Sequence, residues 1–203
     1  MRLELVTGNR HKYDEFADIL ARVGCTLPLQ ALDAASVDET GHTYYQNAYK
    51  KARAGLQSVL WSGGSKDAIV VADDSGLELP EFGGIPGVRS ARFEYADLHE
   101  RAALTAFLRD HCVSSASARF VCRIVAFVPW SQACFSCEGT IFGHVVPAPR
   151  GVAGFGYDPL FIPAGYSITF AEMDVAQKNR ISHRARAVAQ LCSYVQESLR
   201  LRP

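Results

Sequence analysis

The sequence predicts an α/β fold in which a mixed, twisted sheet is flanked by helices, with two lobes around a central cleft. Strand-like apolar runs alternate with segments whose apolar residues recur at helical spacing, which is typical of α/β proteins. Two long strand-like segments, at residues 118–129 and 133–145, predict a hairpin, so the sheet contains antiparallel pairs. The length of 203 residues suits one domain, which we assign to residues 1–203.

A buried strand is predicted over residues 3–6, and it leads through a glycine turn into a helix that starts near Lys12. A second strand is expected near residues 27–32. The turn brings backbone N–H groups and the positive end of the helix together, a combination that attracts anions. The helix is indicated by apolar residues at helical spacing, namely Phe16, Ile19, Leu20 and Val23.

The second helix is predicted to begin at Thr43. Thr43 and Gln46 fit a capping box, in which each side chain accepts a hydrogen bond from a free N–H group of the first turn. Gly63 and Gly64 are expected to end this segment. The predicted inward face of the helix comprises Tyr45, Ala48, Ala52, Leu56 and Val59.

A continuous apolar run at residues 68–72 predicts a strand buried on both faces, which delivers Asp73 and Asp74 to its carboxyl end. Open α/β sheets bind their ligands at that edge. Residues 83–87 include three glycines and predict a loop. A helix is expected over residues 97–111, and its predicted inward residues are Leu98, Ala102 and Leu108.

The C-terminal part is predicted to contain a glycine-rich loop at residues 151–159 and an amphipathic helix at residues 182–201. We find no internal repeat, linker or low-complexity segment. The inward residues of the final helix are expected to be Ala185, Val188, Leu191, Cys192, Val195 and Leu199.

Composition argues against several kinds of partner. Lys plus Arg and Asp plus Glu each number 21, so no net field attracts nucleic acid or an anionic membrane over long range. No apolar run approaches the roughly 20 residues that span a bilayer, and the first residues lack the pattern of a signal peptide. We therefore expect a cytoplasmic protein that binds neither nucleic acid nor membrane.

The six cysteines supply only one CxxC pair, Cys134 and Cys137. A disulfide framework or a structural metal site would need a second pair. Buried thiols are therefore expected, and Cys122 lies within an apolar strand pattern where it can serve as a small hydrophobic side chain.

The glycine turn after the first strand carries polar side chains that suit a phosphate. Thr7 and Asn9 can donate hydrogen bonds, and the ammonium of Lys12 adds to the positive helix end. The glycine spacing of a P-loop is absent. The alternative is a strand-to-helix turn that Asn9 caps, with Lys12 solvated.

Asp73 and Asp74 form the second polar segment, together with Ser75. Adjacent carboxylates repel each other unless a cation or hydrogen-bond donors compensate. One of them can bind Mg²⁺ while the other orients or deprotonates a water. The alternative is a turn in which Asp74 and Ser75 bond local N–H groups. Glu39 can supply a third carboxylate, although by itself it is typical of a solvated loop residue.

Phe155 and Tyr157 place two aromatic rings in the glycine-rich loop, where a flat ring can stack on a purine and Asp158 can accept from its donors. Alternatively the rings anchor the loop to the core, which we expect of one of them.

The third polar segment consists of Lys178, Asn179, Ser182, His183 and Arg184 and places basic side chains at the start of the last helix. Positive charge at a helix start costs about 0.3–1 kcal/mol unless an anion is bound, and this favours a ligand there. By itself, His183 is typical of a surface or capping residue.

Together these segments resemble the inosine triphosphate pyrophosphatase family, whose members hydrolyse non-standard purine nucleoside triphosphates. The similarity runs from Leu5 to about Ala187. The matching blocks, in chain order, are Thr7-Gly8-Asn9 with Lys12 and Glu15, Asn47-Ala48 with Lys51-Ala52, Ala72 to Leu77, Gly83 to Gly87 with Ser90-Ala91-Arg92, Gly154 to Pro159, Ala171-Glu172-Met173, and Lys178-Asn179 with Ser182-His183-Arg184.

The resemblance implies a Mg²⁺-dependent enzyme with an elongated fold, usually a homodimer, that converts ITP, XTP or their deoxy forms to the monophosphate and pyrophosphate. By position, Asp74 resembles the general base and a metal ligand, Glu39 resembles a second metal ligand, and Asp73 supports them. Residues that match phosphate-binding positions are Asn9, Lys12, Lys51 and Lys178. Residues that match the nucleobase pocket are Phe155, Tyr157, Asp158, His183 and Arg184, with Ser75 nearby.

The sequence departs from the family pattern at Gln46, where many relatives carry Glu. The change removes a negative charge near the presumed metal, while Glu39 is retained. Two alternatives therefore stay open. The chain could be a nucleotide-binding module that has lost catalysis, or a hydrolase that acts on a pyrimidine or another modified nucleotide.

Overall fold

The structure contains a seven-stranded mixed sheet with helices packed on both of its faces. The structure is a computed structural model that describes residues 1–33, 37–61 and 67–200. In chain order its elements are β1 (Arg2–Val6), α1 (Arg10–Arg22), β2 (Leu29–Leu32), α2 (Tyr44–Trp61), β3 (Ala68–Leu79), β4 (Ile85–Pro86), β5 (Glu94–Tyr95), β6 (Leu98–His99), α3 (Glu100–Asp110), β7 (Ala116–Val128), β8 (Ala133–Val145), β9 (Phe161–Pro163), α4 (Val175–Ile181) and α5 (His183–Arg200).

The sheet has the strand order β2-β1-β3-β7-β8-β9, with β4 beside β3. β1 is parallel to both β2 and β3, whereas β4 and β9 are antiparallel to their partners. The predicted α/β class and the mixed sheet flanked by helices are therefore confirmed. β7 and β8 are neighbours joined by a short connection, as the sequence predicts for a hairpin.

Alternating side chains of β1 and β3 are buried on opposite faces of the sheet, because successive residues of a strand point to opposite sides. Leu3, Leu5 and Val71 belong to a cluster that also contains buried residues of α1 and α5. Val6 and Val70 belong to a second cluster with buried residues of α2. The run of apolar residues in each strand thus reflects helices on both faces.

β3 extends further than predicted, which changes the position of the two aspartates. The strand runs from Ala68 to Leu79, so Asp73 and Asp74 lie within it and are not in a turn after it. β1 ends at Val6, opposite Ala72, so both aspartates still lie just beyond the carboxyl end of the neighbouring parallel strand. The strand continues because β4 pairs with its last residues.

The inward face of α2 is broader than predicted, because Asn47 and Gly55 are buried as well, and it also differs in the first turn. Tyr44 is buried whereas Tyr45 is 42% exposed, and Ala48, Ala52 and Val59 are buried as predicted. Leu56 is partly buried against the same cluster. Gly63 and Gly64 lie outside the described residues.

The predicted helix at residues 97–111 begins later, at Glu100, because Leu98 forms part of the short hairpin of β5 and β6. The register of the inward face changes with it. Leu98 is exposed, Ala102 is exposed, and the buried positions are Ala103, Leu104 and Leu108. Only Leu108 of the predicted face is confirmed.

The C-terminal predictions are largely confirmed. Residues 151–159 lack helix and strand, α5 buries the predicted apolar residues, and Leu199 is partly buried. The separate helix α4 was not predicted.

All six cysteines are free of disulfide bonds. Cys122, Cys137 and Cys192 are buried, but Cys112 and Cys134 are exposed, contrary to the expectation of buried thiols. None of the described helices has the length and apolarity needed to span a bilayer.

The chain divides into two compact units. The first contains residues 1–74, 122–139 and 184–203, and the second contains residues 75–121 and 140–183. The boundaries fall between Asp74 and Ser75 and between His183 and Arg184, so two of the polar segments contribute to both units. The assignment of residues 1–203 to one domain stays a prediction.

Candidate active site

Asp73 is a buried carboxylate held by two cations in the first unit. Its Oδ2 lies 3.2 Å from Lys12 Nζ and 3.5 Å from Arg184 Nη2, and the side chain is 1% exposed. Burial alone would raise the pKa of Asp73, but the charges of Lys12, Arg184 and Lys51 outweigh it and hold the pKa well below its usual value. Asp73 is therefore ionised and fixes the positions of its cationic neighbours.

Arg184 lies between two acidic side chains of the first unit. Its guanidinium is paired with Glu15 of α1 as well as with Asp73, and the side chain is 1% exposed. Burial opposes the charged form, yet the two carboxylates raise the pKa of Arg184 further above its ordinary value. The guanidinium therefore holds Asp73 in place. Contact of Arg184 with a nucleobase stays a prediction.

Asn9 caps the turn between β1 and α1, as one of the two interpretations of this segment predicts. Asn9 is the N-cap of α1, and its Oδ1 accepts a hydrogen bond from Lys12 N at 3.2 Å. Thr7 Oγ1 accepts from Asn9 N at 3.1 Å. The capping bonds use oxygen atoms, which leaves the amide nitrogen of the exposed Asn9 able to donate to an anion.

Lys51 of α2 lies between two carboxylates. Its Nζ is 2.7 Å from Glu39 Oε1 and 3.8 Å from Asp74 Oδ1. Burial lowers the pKa of Lys51, but Asp73, Asp74 and Glu39 together raise it above the usual value. Lys51 therefore stays charged and compensates for acidic groups that would otherwise repel each other.

The pKa of Asp74 is shifted in the opposite direction from the pKa of its neighbour Asp73. Burial raises the pKa of Asp74, and the nearby Glu39 adds to the rise, against the opposing effects of Lys51, Asn47 and Lys12. A carboxylate whose pKa is raised accepts a proton more readily. The two adjacent aspartates thus have different electrostatic environments, which suits different chemical roles.

The pair of Glu39 and Asp74 fits a magnesium ion. Within the part of the chain that the structure describes, no three acidic, His or Cys side chains are grouped closely enough to hold a metal by themselves. Mg²⁺ needs no such cage, because it binds one or two carboxylates and completes its shell with water and substrate phosphate. The two carboxylates both lie beside the cationic Lys51, and a second cation bound there would further reduce their mutual repulsion.

The second unit brings together Lys178, Asp158 and Phe155. Lys178 Nζ is 2.6 Å from Asp158 Oδ2, and both side chains are buried. The ammonium also lies 5.0 Å from the centre of the Phe155 ring, and Asp158 accepts a hydrogen bond from Phe155 N at 2.8 Å. Lys178 thus lies beside two residues that are predicted to bind the base, and its predicted contact with phosphate stays a prediction.

Tyr157 is the aromatic residue that anchors the glycine-rich loop. Its ring belongs to the hydrophobic cluster of the second unit, and its hydroxyl donates to Ser90 O at 2.7 Å. Burial, with the nearby charge of Glu100, raises the pKa of Tyr157. The expectation that one of the two aromatics is a core anchor is confirmed, and Phe155 is the ring that remains only partly buried.

His183 and Ser75 are the remaining predicted residues of the second unit. His183 is buried and stacks on Phe120, with ring centres 4.8 Å apart and planes inclined by 10°. Ser75 is half-buried in β3. Burial and stacking exclude the ordinary surface role considered for His183.

A groove of about 800 Å³ in the second unit borders Phe155. Its walls are α3, including Arg101, Thr105 and Arg109, and the loop that contains Val152 and Phe155. No sequence pattern predicts that α3 lies beside this loop, because contacts between distant segments carry no periodic signal.

Two residues of the first unit belong to the segments that match the family, but the sequence predicts no function for either. Glu15 pairs with Arg184, and Asn47 donates from Nδ2 to Asp74 Oδ2 at 3.0 Å. Asn47 is four residues before Lys51 on α2, and side chains at this spacing share a helix face. The spacing is therefore the signal from which Asn47 could have been found.

Buried charges just beyond the carboxyl ends of parallel strands are typical of α/β enzymes that act on anionic ligands. A sequence model of the Ham1 family matches residues 3–194. The chain belongs to the Ham1 family, which confirms the family relationship inferred from the motifs.

Relatives cover almost the whole chain. A dITP/XTP pyrophosphatase of Clostridium perfringens is 39% identical over 194 residues, which cover 92% of this chain and 93% of the relative. A dITP/XTP pyrophosphatase of Frankia alni is 38% identical over 208 residues, or 98% of this chain and 99% of the relative.

Solved structures of the same family share the fold. A HAM1 protein from Coxiella burnetii has a TM-score of 0.78 at 30% identity, with coverage of 97% of this chain and 99% of that chain. The Ham1 protein of Staphylococcus aureus has a TM-score of 0.77 at 27% identity, with coverage of 98% and 100%.

Proposed function

We propose that this chain hydrolyses non-standard purine nucleoside triphosphates, namely ITP, dITP and XTP, to the monophosphate and pyrophosphate, and so clears them from the nucleotide pool. The observation that carries the proposal is the half-buried Lys51 shared by Glu39 and Asp74 in a chain of the Ham1 family. Curated relatives named dITP/XTP pyrophosphatase support the choice of substrate.

The phosphate-binding groups are Thr7, Asn9, Lys12 and Lys51. Lysine ammonium groups form strong charge-assisted hydrogen bonds to phosphate oxygens. Lys12 and Lys51 are both held by carboxylates in the first unit, at 3.2 Å and 2.7 Å respectively. Their positions are therefore set before substrate binds, which reduces the entropy lost on binding.

Glu39 and Asp74 would hold the magnesium ion, with Asp73 in support. When bound, Mg²⁺ neutralises negative charge on the triphosphate and on the leaving pyrophosphate. Asp74 orients a water and accepts its proton while the water oxygen attacks the α phosphorus. The bond from that phosphorus to the bridging oxygen breaks, and its electrons leave with pyrophosphate. The raised pKa of Asp74 supports this role.

Base recognition is assigned to the second unit. Phe155 supplies a partly buried ring for stacking, and Tyr157 anchors the loop that carries it. Arg184 directly follows this unit in the chain. The polar groups are supplied by Ser75, Asp158, Lys178 and His183. Hypoxanthine and xanthine carry a 6-oxo acceptor, whereas the 6-amino group of adenine would leave a buried donor unpaired. A site built to bond one group can reject its analogue strongly.

The family resemblance supports two further proposals about the assembled enzyme. The chain acts as a homodimer, and it acts in the cytoplasm, where the nucleotide pool is maintained. Residues 1–203 act as one functional domain.

The test is an assay of the purified chain with Mg²⁺ against ITP, XTP, dITP, GTP, ATP and UTP, with separate detection of pyrophosphate and orthophosphate. We expect pyrophosphate release to be fastest with ITP, dITP or XTP. Thermal stabilisation by ITP without pyrophosphate release would instead indicate a binding module. ITP and XTP among the poorest substrates would indicate a hydrolase for another nucleotide.

A further inference from the structure

Asn47 is a buried amide with hydrogen bonds at both ends. It is 0% exposed on the sheet-facing side of α2. Its Nδ2 donates to Asp74 Oδ2 at 3.0 Å, and its Oδ1 accepts from Gly41 N at 2.7 Å. A buried amide satisfied in this way is expensive to disturb, because removing either bond leaves a buried polar group without a partner.

The two bonds fix the orientation of the amide. A backbone N–H can only donate, so the oxygen of Asn47 must face Gly41. The nitrogen then faces Asp74, which as a carboxylate can only accept. Rotation of the amide by half a turn would oppose donor to donor and acceptor to acceptor, so Asp74 Oδ2 is held in one place.

Asn47 thereby joins the two segments that carry the proposed metal ligands. Gly41 comes two residues after Glu39, and Asp74 lies in β3. Lys51, one helical turn after Asn47, contacts the carboxylates of both segments, at 2.7 Å and 3.8 Å. One face of α2 therefore determines how far Glu39 is from Asp74.

Gly41 contributes to the same arrangement through its missing side chain. A Cβ atom at position 41 would lie 2.5 Å from Asn47 Oδ1 and 2.8 Å from Gln46 Cβ, closer than such atoms approach in proteins. Only glycine lets the backbone N–H reach the amide oxygen without displacing it.

Gln46 supplies a matched comparison on the same turn of α2. Its exposed side chain accepts from His42 N at 2.7 Å, and its own N–H donates to Thr43 Oγ1 at 3.2 Å. Gln46 thus holds the same segment from the solvent side, without contact to Asp74. A neutral amide oxygen is able to accept this hydrogen bond.

We propose that Asn47 is a positioning residue, whose amide orients Asp74 and sets its distance from Glu39 so that the two carboxylates bind one divalent cation. The inference depends on the proposed function for its catalytic consequence, but its effect on metal binding can be measured without turnover. Asn47 itself touches neither substrate nor metal, and it acts through Asp74 and through the segment of Glu39.

The test compares Asn47→Ala, Asn47→Leu and Gly41→Ala with the wild type and with Gln46→Ala. Asn47→Leu keeps the branched shape of the side chain but offers neither the acceptor for Gly41 nor the donor to Asp74. Mn²⁺, a paramagnetic substitute for Mg²⁺, is titrated by electron paramagnetic resonance without nucleotide. The kinetic arm measures kcat, KM for ITP and the half-saturating Mg²⁺ concentration.

Loss of a group that orients a metal ligand typically costs about 10- to 100-fold in metal affinity or activity. We expect losses of that size in Mn²⁺ affinity and in kcat for both Asn47 variants and for Gly41→Ala, with KM for ITP changed by less than about threefold. Gln46→Ala should bind Mn²⁺ like the wild type.

Folded Asn47→Leu or Gly41→Ala protein, verified by circular dichroism, with wild-type Mn²⁺ affinity would overturn the inference, as would a wild type that binds no Mn²⁺. Absence of pyrophosphate release by the wild type would overturn the proposed function alone, since the Mn²⁺ comparison would still decide the role of Asn47.

Discussion

Adjacent aspartates of one strand have different environments, although they differ by a single position in the sequence. Asp73 is 1% exposed and contacts Lys12 and Arg184, whereas Asp74 receives a hydrogen bond from Asn47 and lies 3.8 Å from Lys51. Their pKa values move in opposite directions as a result. The pair can therefore supply one permanent negative charge and one proton acceptor.

Asp74→Asn should abolish turnover and leave the fold intact. The replacement has nearly the same volume, and its side-chain oxygen can still accept from Asn47, but it cannot take a proton from water. Loss of a general base typically lowers kcat about 10²- to 10⁴-fold. The measurements are kcat for ITP and the far-ultraviolet circular dichroism spectrum. Near-normal hydrolysis by this variant would remove Asp74 from the mechanism.

Asp73 should make stability depend on pH in the acid range. Its pKa is lowered in the folded state, so its contribution is complete above the unfolded pKa of about 3.9 and is lost as pH falls toward the lower folded value. We expect the difference in unfolding free energy between the wild type and Asp73→Asn to be constant near neutral pH and to shrink below about pH 4. Urea unfolding at several pH values measures it. A difference that grows on acidification would contradict the assigned pairing.

Residue chemistry was the most predictable level of the site. Lys12, Lys51, Asp73 and Asp74 are charged residues next to buried strand or helix positions, a combination that needs compensation and so draws attention. Asn47 carries no charge, and its importance depends on what lies opposite it in space. The pairing of Glu15 with Arg184 joins residues from the two ends of the chain, which no local pattern can indicate.

Helices and strands were predictable where their periodicity was unbroken. α1 and α5 present regular apolar faces, and most of their buried residues were predicted. The exceptions are Val23, which is the C-cap of α1 and is 40% exposed, and Ala187 of α5, which is buried but was not predicted. The start of α3 was misplaced because the short hairpin of β5 and β6 precedes it, and two-residue strands give no alternation to detect. β3 was ended too early because Asp73-Asp74-Ser75-Gly76 has the composition of a turn, whereas pairing with β4 keeps it extended.

Gly55 of α2 should resist replacement even by alanine. Alanine is favoured over glycine in a helix by about 1 kcal/mol. A Cβ atom at position 55 would, however, collide with the side chain of Val6 and lie 3.1 Å from Leu32 Cδ2 and from Val70 Cγ1. Overpacking of this kind costs about 1–3 kcal/mol, so we expect Gly55→Ala to lower the free energy of unfolding.

Ser58→Ala is the matched control, because Ser58 is exposed on the same helix. This change should raise stability by a few tenths of a kcal/mol, roughly the difference in helix propensity. Both variants are compared by urea unfolding. A stabilising effect of Gly55→Ala would show that α2 can move away from the sheet without cost.

The sequence predicts two lobes, but the boundaries of the two compact units could not be predicted from it. Composition and charge are even along the chain, and no linker marks a boundary. The family motifs anticipated which residues belong together, but Lys178 was assigned to phosphate on position alone, while the structure places it with Asp158 and Phe155. A salt bridge between residues twenty positions apart depends on packing that local patterns do not encode.

Thiol reactivity should report the integrity of the whole molecule. Cys112 and Cys134 are exposed, whereas burial raises the pKa of Cys122 to about 12 and that of Cys137 to about 11, which leaves few reactive thiolates. With a chromogenic disulfide reagent we expect a fast phase from the two exposed thiols in the native protein, and reaction of all six cysteines after denaturation.

The double variant Cys112→Ser, Cys134→Ser should lack the fast phase. Because both side chains are exposed, the substitutions should leave the unfolding transition unchanged. Rapid labelling of Cys122 in the native protein, located by mass spectrometry of tryptic peptides, would show that the strand containing it opens readily.

The first unit is assembled from three separate stretches of chain and the second from two. Neither unit can be excised as a continuous open reading frame, because each is interrupted by the other. Attempts to express one unit alone would therefore require new junctions.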